Sequence, residues 1–251
     1  MILRVIATGS SGNCYILEGR NSALVIECGV TPERLFRSTT VPPSRIAGCL
    51  VSHEHGDHAA YAIRFVEMGL DIYASKGTLD AIGLSPAGHA RQLRPMNLIS
   101  VGEFLVCPFL VRHDAAEPMG FFIKHDECGP LLFVTDTRSI EYSFRKYRPA
   151  HIMVEANYCE DTLEHNIASG FIDGNRARRL RDTHLSIDNA CALVKANETA
   201  DLRTVTLIHL SNGNSNEAEC RRRMGETLTL ADVYVAAPGL TVDLAFNPFD
   251  I

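Results

Sequence analysis

Short runs of apolar, largely β-branched residues recur along this chain, each closed by glycine, asparagine, aspartate or histidine, and that rhythm limits the possible folds more than any other feature. Residues 2–8 (ILRVIAT), 14–18 (CYILE), 23–27 (ALVIE) and 46–52 (IAGCLVS) read as strands. Further strands are expected at 71–74, 103–112, 119–124, 131–135, 150–155 and 204–209, with a closing pair near 230–245. Helices are expected at 31–38, where Thr31 caps and Pro32 takes the first helical position, at 59–68 behind a histidine cluster, at about 186–198, and at 215–225. Strands followed by helices, given twice, imply two sheets between helices. With 251 residues, 46% of them hydrophobic, and no repeat or low-complexity linker, a single domain over 1–251 is expected.

Composition narrows the function classes. A formal charge of −6 leaves no global basic footprint, so a nucleic-acid partner would be held by a local patch or through metal ions. Eight cysteines without a CxxC pair read as buried free thiols in a reducing compartment, hence the cytoplasm. The start MILRVIATGSSGN turns polar after seven residues, and no apolar span of membrane length follows, so neither secretion nor a membrane partner is expected.

Residues 53–58, HEHGDH, put three of the ten histidines and two acids behind an apolar strand. His53 and His55, at i and i+2, can converge on one ion when the backbone is extended, and Gly56 frees the turn that follows. Asp57 and His58 then point elsewhere and can serve a second ion. The pattern is not HExxH, because position 57 is aspartate and the segment is expected to precede a helix. Two ions need more donors, and His113, Asp136 and His209 all sit where strands end, a placement that gathers distant residues on one sheet edge.

HEHGDH, His113, Asp136 and His209 together resemble the metallo-β-lactamase superfamily over nearly the whole chain. TGSSGN at 8–13, HDAAEPMGF at 113–121, VTDT at 134–137, THLSIDNA at 183–190 and HLSNGNSNE at 209–217 are similar to the YycJ/WalJ-type exonucleases within it. The resemblance implies an α/β (α+β) metallo-β-lactamase-like αββα sandwich, two mixed sheets flanked by helices. It also implies two divalent ions, Zn²⁺ or Mn²⁺, given an all-nitrogen and oxygen donor set. His53, His55 and His113 would hold the first, Asp57, His58 and His209 the second, and Asp136 would bridge them. The activity implied is phosphodiester hydrolysis on nucleic acid, most closely a DNA exonuclease of 5′–3′ type, through a metal-activated hydroxide.

Asp57 is a candidate catalytic group that orients the attacking water. His184, expected at a helix start, is a candidate to contact phosphate or protonate the leaving oxygen, with Glu155 as its orienting carboxylate or an ordinary strand-end acid. Ser10, Ser11 and Asn13 in the glycine-rich turn, and Arg178 and Arg181 in NRARRLRDT, are candidate phosphate contacts; the turn also reads as a plain hairpin and the arginines as a solvated helix face. Two positions depart from the family pattern: Glu27 stands where aspartate is usual, and Arg138 where glycine is common. A small-molecule hydrolase of the same fold is the alternative, since net charge favours a small substrate and the arginine run a polymer. A non-catalytic protein whose metals serve folding is the third.

Overall fold

The computed structural model describes residues 1–245. The chain runs β1 (Ile2–Ala7), β2 (Cys14–Glu18), β3 (Ala23–Ile26), α1 (Pro32–Ser38), β4 (Ile46–Leu50), α2 (Gly56–Ala59), α3 (Ala62–Glu67), β5 (Ile72–Ser75), α4 (Lys76–Ala81), β6 (Ala90–Leu93), β7 (Ile99–Val101) and β8 (Phe104–Leu110). It continues β9 (Met119–His125), β10 (Gly129–Val134), β11 (His151–Glu155), α5 (Glu160–Ala168), α6 (Gly174–Thr183), α7 (Ile187–Asn197), β12 (Thr204–Ile208), α8 (Glu217–Thr227), β13 (Asp232–Val235) and β14 (Thr241–Asp243). The strands form two mixed seven-stranded sheets, ordered β14-β1-β2-β3-β4-β5-β6 and β13-β12-β11-β10-β9-β8-β7, as the alternation of strands and helices leads one to expect. Two compact units divide the described residues, one built on Met1–Leu110 and Ala115–Gly129 with β14, the other on Val111–Asp114 and Pro130–Ala236.

In the first unit, β1, β2 and β3 pair antiparallel, and β3 through β6 run parallel. Val25, Cys49 and Ile72 from three neighbouring strands pack with Leu35 of α1, Phe65 of α3 and Leu79 of α4, all wholly buried. Burying such side chains stabilises the layer by about 1.5–3 kcal/mol each. Gly48 shows how close the other face is packed, since a Cβ there would lie 2.5 Å from the Tyr73 ring and 3.2 Å from Val101 of β7. The α1 start is as expected, with Thr31 Oγ1 accepting from Arg34 N.

The helix expected at 59–68 is two helices. His58 O accepts from Cys28 N at 2.8 Å and Cys28 O accepts from Tyr61 N at 3.1 Å, so the chain leaving β3 takes the bonds a continuous helix would use. Asp57 and His58 therefore lie inside a short helical turn rather than ahead of one.

The second unit holds a parallel ladder, β10 to β13, with Val134 opposite Val154, Glu155 opposite Ile208 and Leu207 opposite Val235. Every residue of β11 and β12 is buried, the near-continuous apolar reading of a parallel sheet covered on both faces. Helix α7 opens at Ser186, whose Oγ accepts from Asn189 N at 3.1 Å. His184 does not begin a helix; it is the C-cap of α6, joined to α7 through Leu185. Helix α5 and strand β6 were beyond the sequence patterns for a common reason: α5 buries only Leu163, and β6 exposes its two central residues, so neither shows periodicity. All eight cysteines are free thiols. No helix among the described residues is long and apolar enough to cross a membrane.

Candidate metal centre

Each unit carries its own set of donors. In the first, the chain leaves β4 at Leu50 and Glu27 leaves β3 beside it, with Glu27 N donating to Leu50 O at 2.8 Å. Glu27 is fully buried and sends Oε2 to accept from Ser52 N at 3.3 Å and to within 3.5 Å of His58 Nδ1. The longer side chain therefore still holds the histidine turn, while its Oε1 is buried without a hydrogen-bond partner among the described residues. Ser52 Oγ stands 2.9 Å from His53 Nδ1, which directs His53 Nε2 to His55 Nδ1 at 3.1 Å. Two nitrogens at zinc-ligand distance from a tetrahedral ion lie about 3.3 Å apart, so this pair fits a shared cation.

The turn is braced by TGSSGN. Asn13 N donates to Asp57 O at 2.7 Å, and Gly29 N donates to Asn13 O at 3.0 Å. Asn13 Nδ2 stands 3.2 Å from His58 Nε2, and its Oδ1 accepts from Gly9 N at 2.9 Å and from Tyr15 OH at 3.1 Å. Gly29 is the contact that admits no side chain: a Cβ there would sit 1.8 Å from Asp57 O. Asn13 is thus buried and committed to scaffolding, whereas Ser10 and Ser11 are exposed on the turn. Neither Gly29 nor Ser52 was marked by the sequence, because each acts through a tertiary contact.

In the second unit the donors come from the ends of adjacent parallel strands. Asp136 stands two residues beyond β10, Glu155 ends β11 and His209 follows β12, so Glu155 occupies the strand between the other two. Ligand atoms of Asp136, Glu155, His184 and His209 lie within 4.8 Å of one another, a grouping able to hold a cation. His113 Nδ1 donates to Thr183 O at 2.9 Å, which leaves Nε2 with its lone pair, 3.7 Å from Asp136 Oδ2. His209 Nδ1 is 3.6 Å from Asp136 Oδ1. Each oxygen of Asp136 thus lies near a different imidazole at a separation beyond a hydrogen bond, and Oδ1 also accepts from Thr135 Oγ1 at 2.7 Å.

Glu155 is the residue the sequence left undecided, and the structure settles its contacts. It is fully buried; Oε1 pairs with His184 Nδ1, Oε2 accepts from Leu185 N at 3.1 Å and Thr137 N at 3.3 Å, and His209 Nδ1 lies 3.5 Å from Oε1. Burial alone would depress the His184 imidazole, but the Glu155 carboxylate overcomes it and holds the group above its ordinary 6.5. Burial pushes Glu155 the other way, and the His184 charge outweighs it, keeping the carboxyl below 4.5. His113 is depressed, because burial outweighs the attraction of Asp136. Asn157, unmarked in the sequence, donates from Nδ2 to His209 O at 3.1 Å and fixes that loop.

Three site residues hold left-handed backbones that only glycine adopts readily: Glu27 at φ 68°, Asp136 at 42° and His209 at 54°. All three lie just past a strand, where that conformation turns the chain off the sheet edge. Of the arginines, Arg178 is exposed and makes no ion pair among the described residues, while Arg181 is held by Glu160 and Glu164. Arg138 pairs with Asp182 at 3.1 Å.

Comparison with known proteins adds kinship to this geometry. A family model described as a beta-lactamase superfamily domain matches residues 24–210. The chain is 27% identical over 235 residues to the exodeoxyribonuclease YycJ of Bacillus anthracis, covering 89% of this chain and 88% of that one. It is 26% identical over 251 residues to the exodeoxyribonuclease WalJ of Streptococcus pneumoniae serotype 2, covering 92% and 89%. The metallo-β-lactamase fold protein YhfI from Bacillus subtilis shares the fold at a TM-score of 0.73 and 18% identity, over 96% of this chain and 99% of that one. Because the family match runs through most of the chain and takes in every histidine and aspartate described above, the chain belongs to the metallo-β-lactamase superfamily of hydrolases.

Proposed function

We propose that this chain is a dinuclear-metal phosphodiesterase that degrades DNA from an end, with residues 1–251 working as one domain in the cytoplasm. The observation that carries the reading is the similarity to the YycJ and WalJ exodeoxyribonucleases along almost the full length of both partners. His53, His55 and His113 are assigned to one ion, Asp57, His58 and His209 to the other, and Asp136 to both. Zn²⁺ or Mn²⁺ suits these imidazole and carboxylate donors. When bound, such ions acidify a water and neutralise charge on a phosphodiester.

The chain's own groups do the rest. Asp57, with a side chain 22% exposed, accepts a hydrogen bond from the attacking water and aims it. His184, whose protonated form the Glu155 carboxylate favours, donates a proton to the leaving oxygen, a role worth about 10²–10⁴ in rate. Glu155 is a positioning residue for that imidazole. Exposed Arg178 and the hydroxyls of Ser10 and Ser11 are assigned to backbone phosphate; Arg181, already paired with two glutamates, is a weaker candidate.

The test is incubation of metal-loaded protein with end-labelled single- and double-stranded DNA and RNA beside an Asp57→Ala control. Stepwise loss from one DNA end, absent in the control, is the expected result. The net charge of −6 favours a second reading, a small-molecule hydrolase of the same fold. Inactivity on every polymer together with hydrolysis of a small phosphodiester, thioester or lactone would select it.

A further inference from the structure

A cavity of about 470 Å³ lies wholly within the second unit, beside its donor cluster. Its position follows from the chain: Arg138 comes two residues after Asp136, Leu185 directly after His184, and Tyr158 directly after Asn157, which holds His209. Tyr142, Tyr158, Leu185 and Leu193 give it apolar and aromatic walls, and Arg138 and Asn189 supply polar groups. A volume in the small-molecule range, with aromatic and apolar surface beside several polar side chains, suits a planar heterocycle that also carries hydrogen-bonding groups rather than a stretch of helix.

Of the polar side chains that line the cavity, Asn189 and Arg138 are available to a ligand. The side-chain amide of Asn189 is exposed and makes no hydrogen bond among the described residues, its backbone N–H alone being used by Ser186. Among the described residues Arg138 has one ion pair, with Asp182, and both side chains are more than half exposed, at 62% and 51%. An exposed pair of that kind contributes about 1 kcal/mol or less, so the guanidinium can exchange it for a phosphate, which it binds through paired hydrogen bonds. Arg181 also lines the cavity, but Glu160 and Glu164 hold it as wall.

We propose that this cavity receives the terminal deoxynucleotide of the substrate, with its base against Tyr142, Asn189 on the base edge and Arg138 on the adjoining phosphate. The inference rests on the reading of the chain as a DNA hydrolase and names how a strand end is recognised beside the reacting phosphate. Base stacking on aromatic walls tolerates any sequence, as an exonuclease requires.

Calorimetric titration of chelator-treated protein tests it without turnover. Deoxyadenosine 5′-monophosphate is expected to bind about tenfold or more tightly than deoxyribose 5-phosphate, which lacks the base, in the range set by one stacked base. Arg138→Ala should weaken the mononucleotide about tenfold and leave deoxyadenosine within twofold. Ala196→Phe, which fills the cavity from the exposed side of α7, should remove binding of both, with a melting curve confirming that the variant folds. A DNA hexamer should displace the mononucleotide.

Equal affinity with and without the base, or a folded Ala196→Phe that still binds, overturns the proposal. Failure of the hexamer to compete also overturns it, by assigning the cavity to free nucleotides. Base-independent binding in a protein that degrades DNA sinks the cavity alone. Base-dependent binding, with competition, in a protein that cleaves no DNA sinks the exonuclease reading and keeps the nucleotide site.

Discussion

The two units assemble their donors in opposite ways. In the first, four donors lie on one turn of six residues, and what matters is backbone: Asn13 and Gly29 clamp the turn at Asp57 O. In the second, donors separated by tens of residues meet because parallel strands end in register, and what matters is charge: Glu155 lies buried among His184, His209 and Asp136. A local set of ligands depends on shape at its base, whereas a dispersed set depends on a buried carboxylate.

Substitutions can break that contrast. Glu155→Ala removes the partner of a largely buried imidazole and is expected to destabilise the protein by about 3 kcal/mol, as loss of one member of a buried pair does. Its pH dependence has a definite sign. The contribution of His184, whose pKa is raised, is full below 6.5 and is lost as pH rises through the elevated value; that of Glu155, whose pKa is lowered, is full above 4.5 and is lost as pH falls through the depressed value. In chelator-treated protein the wild-type advantage over Glu155→Gln should therefore be greatest between 4.5 and 6.5, and the NMR titration of His184 should fall in the variant. An advantage that does not change with pH would deny the pair its charge.

Gly29→Ala should cost about 2–3 kcal/mol by overpacking, flat across the same pH range, and should disturb metal uptake at the turn. Denaturant unfolding of both variants at several pH values distinguishes the shape-dependent half from the charge-dependent half. A smaller effect sharpens the picture on the first side: Ser52→Ala, which frees the His53 ring, is expected to weaken metal affinity about tenfold with little loss of fold. Competition with a chromogenic chelator measures it. Smallest is Arg181→Ala, which removes partly exposed ion pairs and should change stability by about 1 kcal/mol or less.

The same contrast decides what could be read in advance. HEHGDH announces itself, since its donors are contiguous, and Asp136 and His209 are marked by the apolar runs they terminate. The β-branched runs gave the strands of the parallel ladder for the same reason, each being buried on both faces. Glu155 stayed ambiguous because its meaning lies in His184, 29 positions away, and Gly29 because its constraint is a carbonyl 28 positions away. The division of the expected 59–68 helix had no local signal either, being imposed by Cys28. Polar segments such as α5 were hidden because few of their side chains enter the core.

The left-handed backbones at Glu27, Asp136 and His209 have a consequence for how such a chain evolves. Glycine would relax each by about 1 kcal/mol relative to alanine, so Asp136→Gly and His209→Gly should outlast Asp136→Ala and His209→Ala in denaturant while remaining equally inert. Selection for endurance alone would favour glycine at each of these three strand ends. At all three the chain instead carries an acid or an imidazole, at a cost in durability that glycine would spare it.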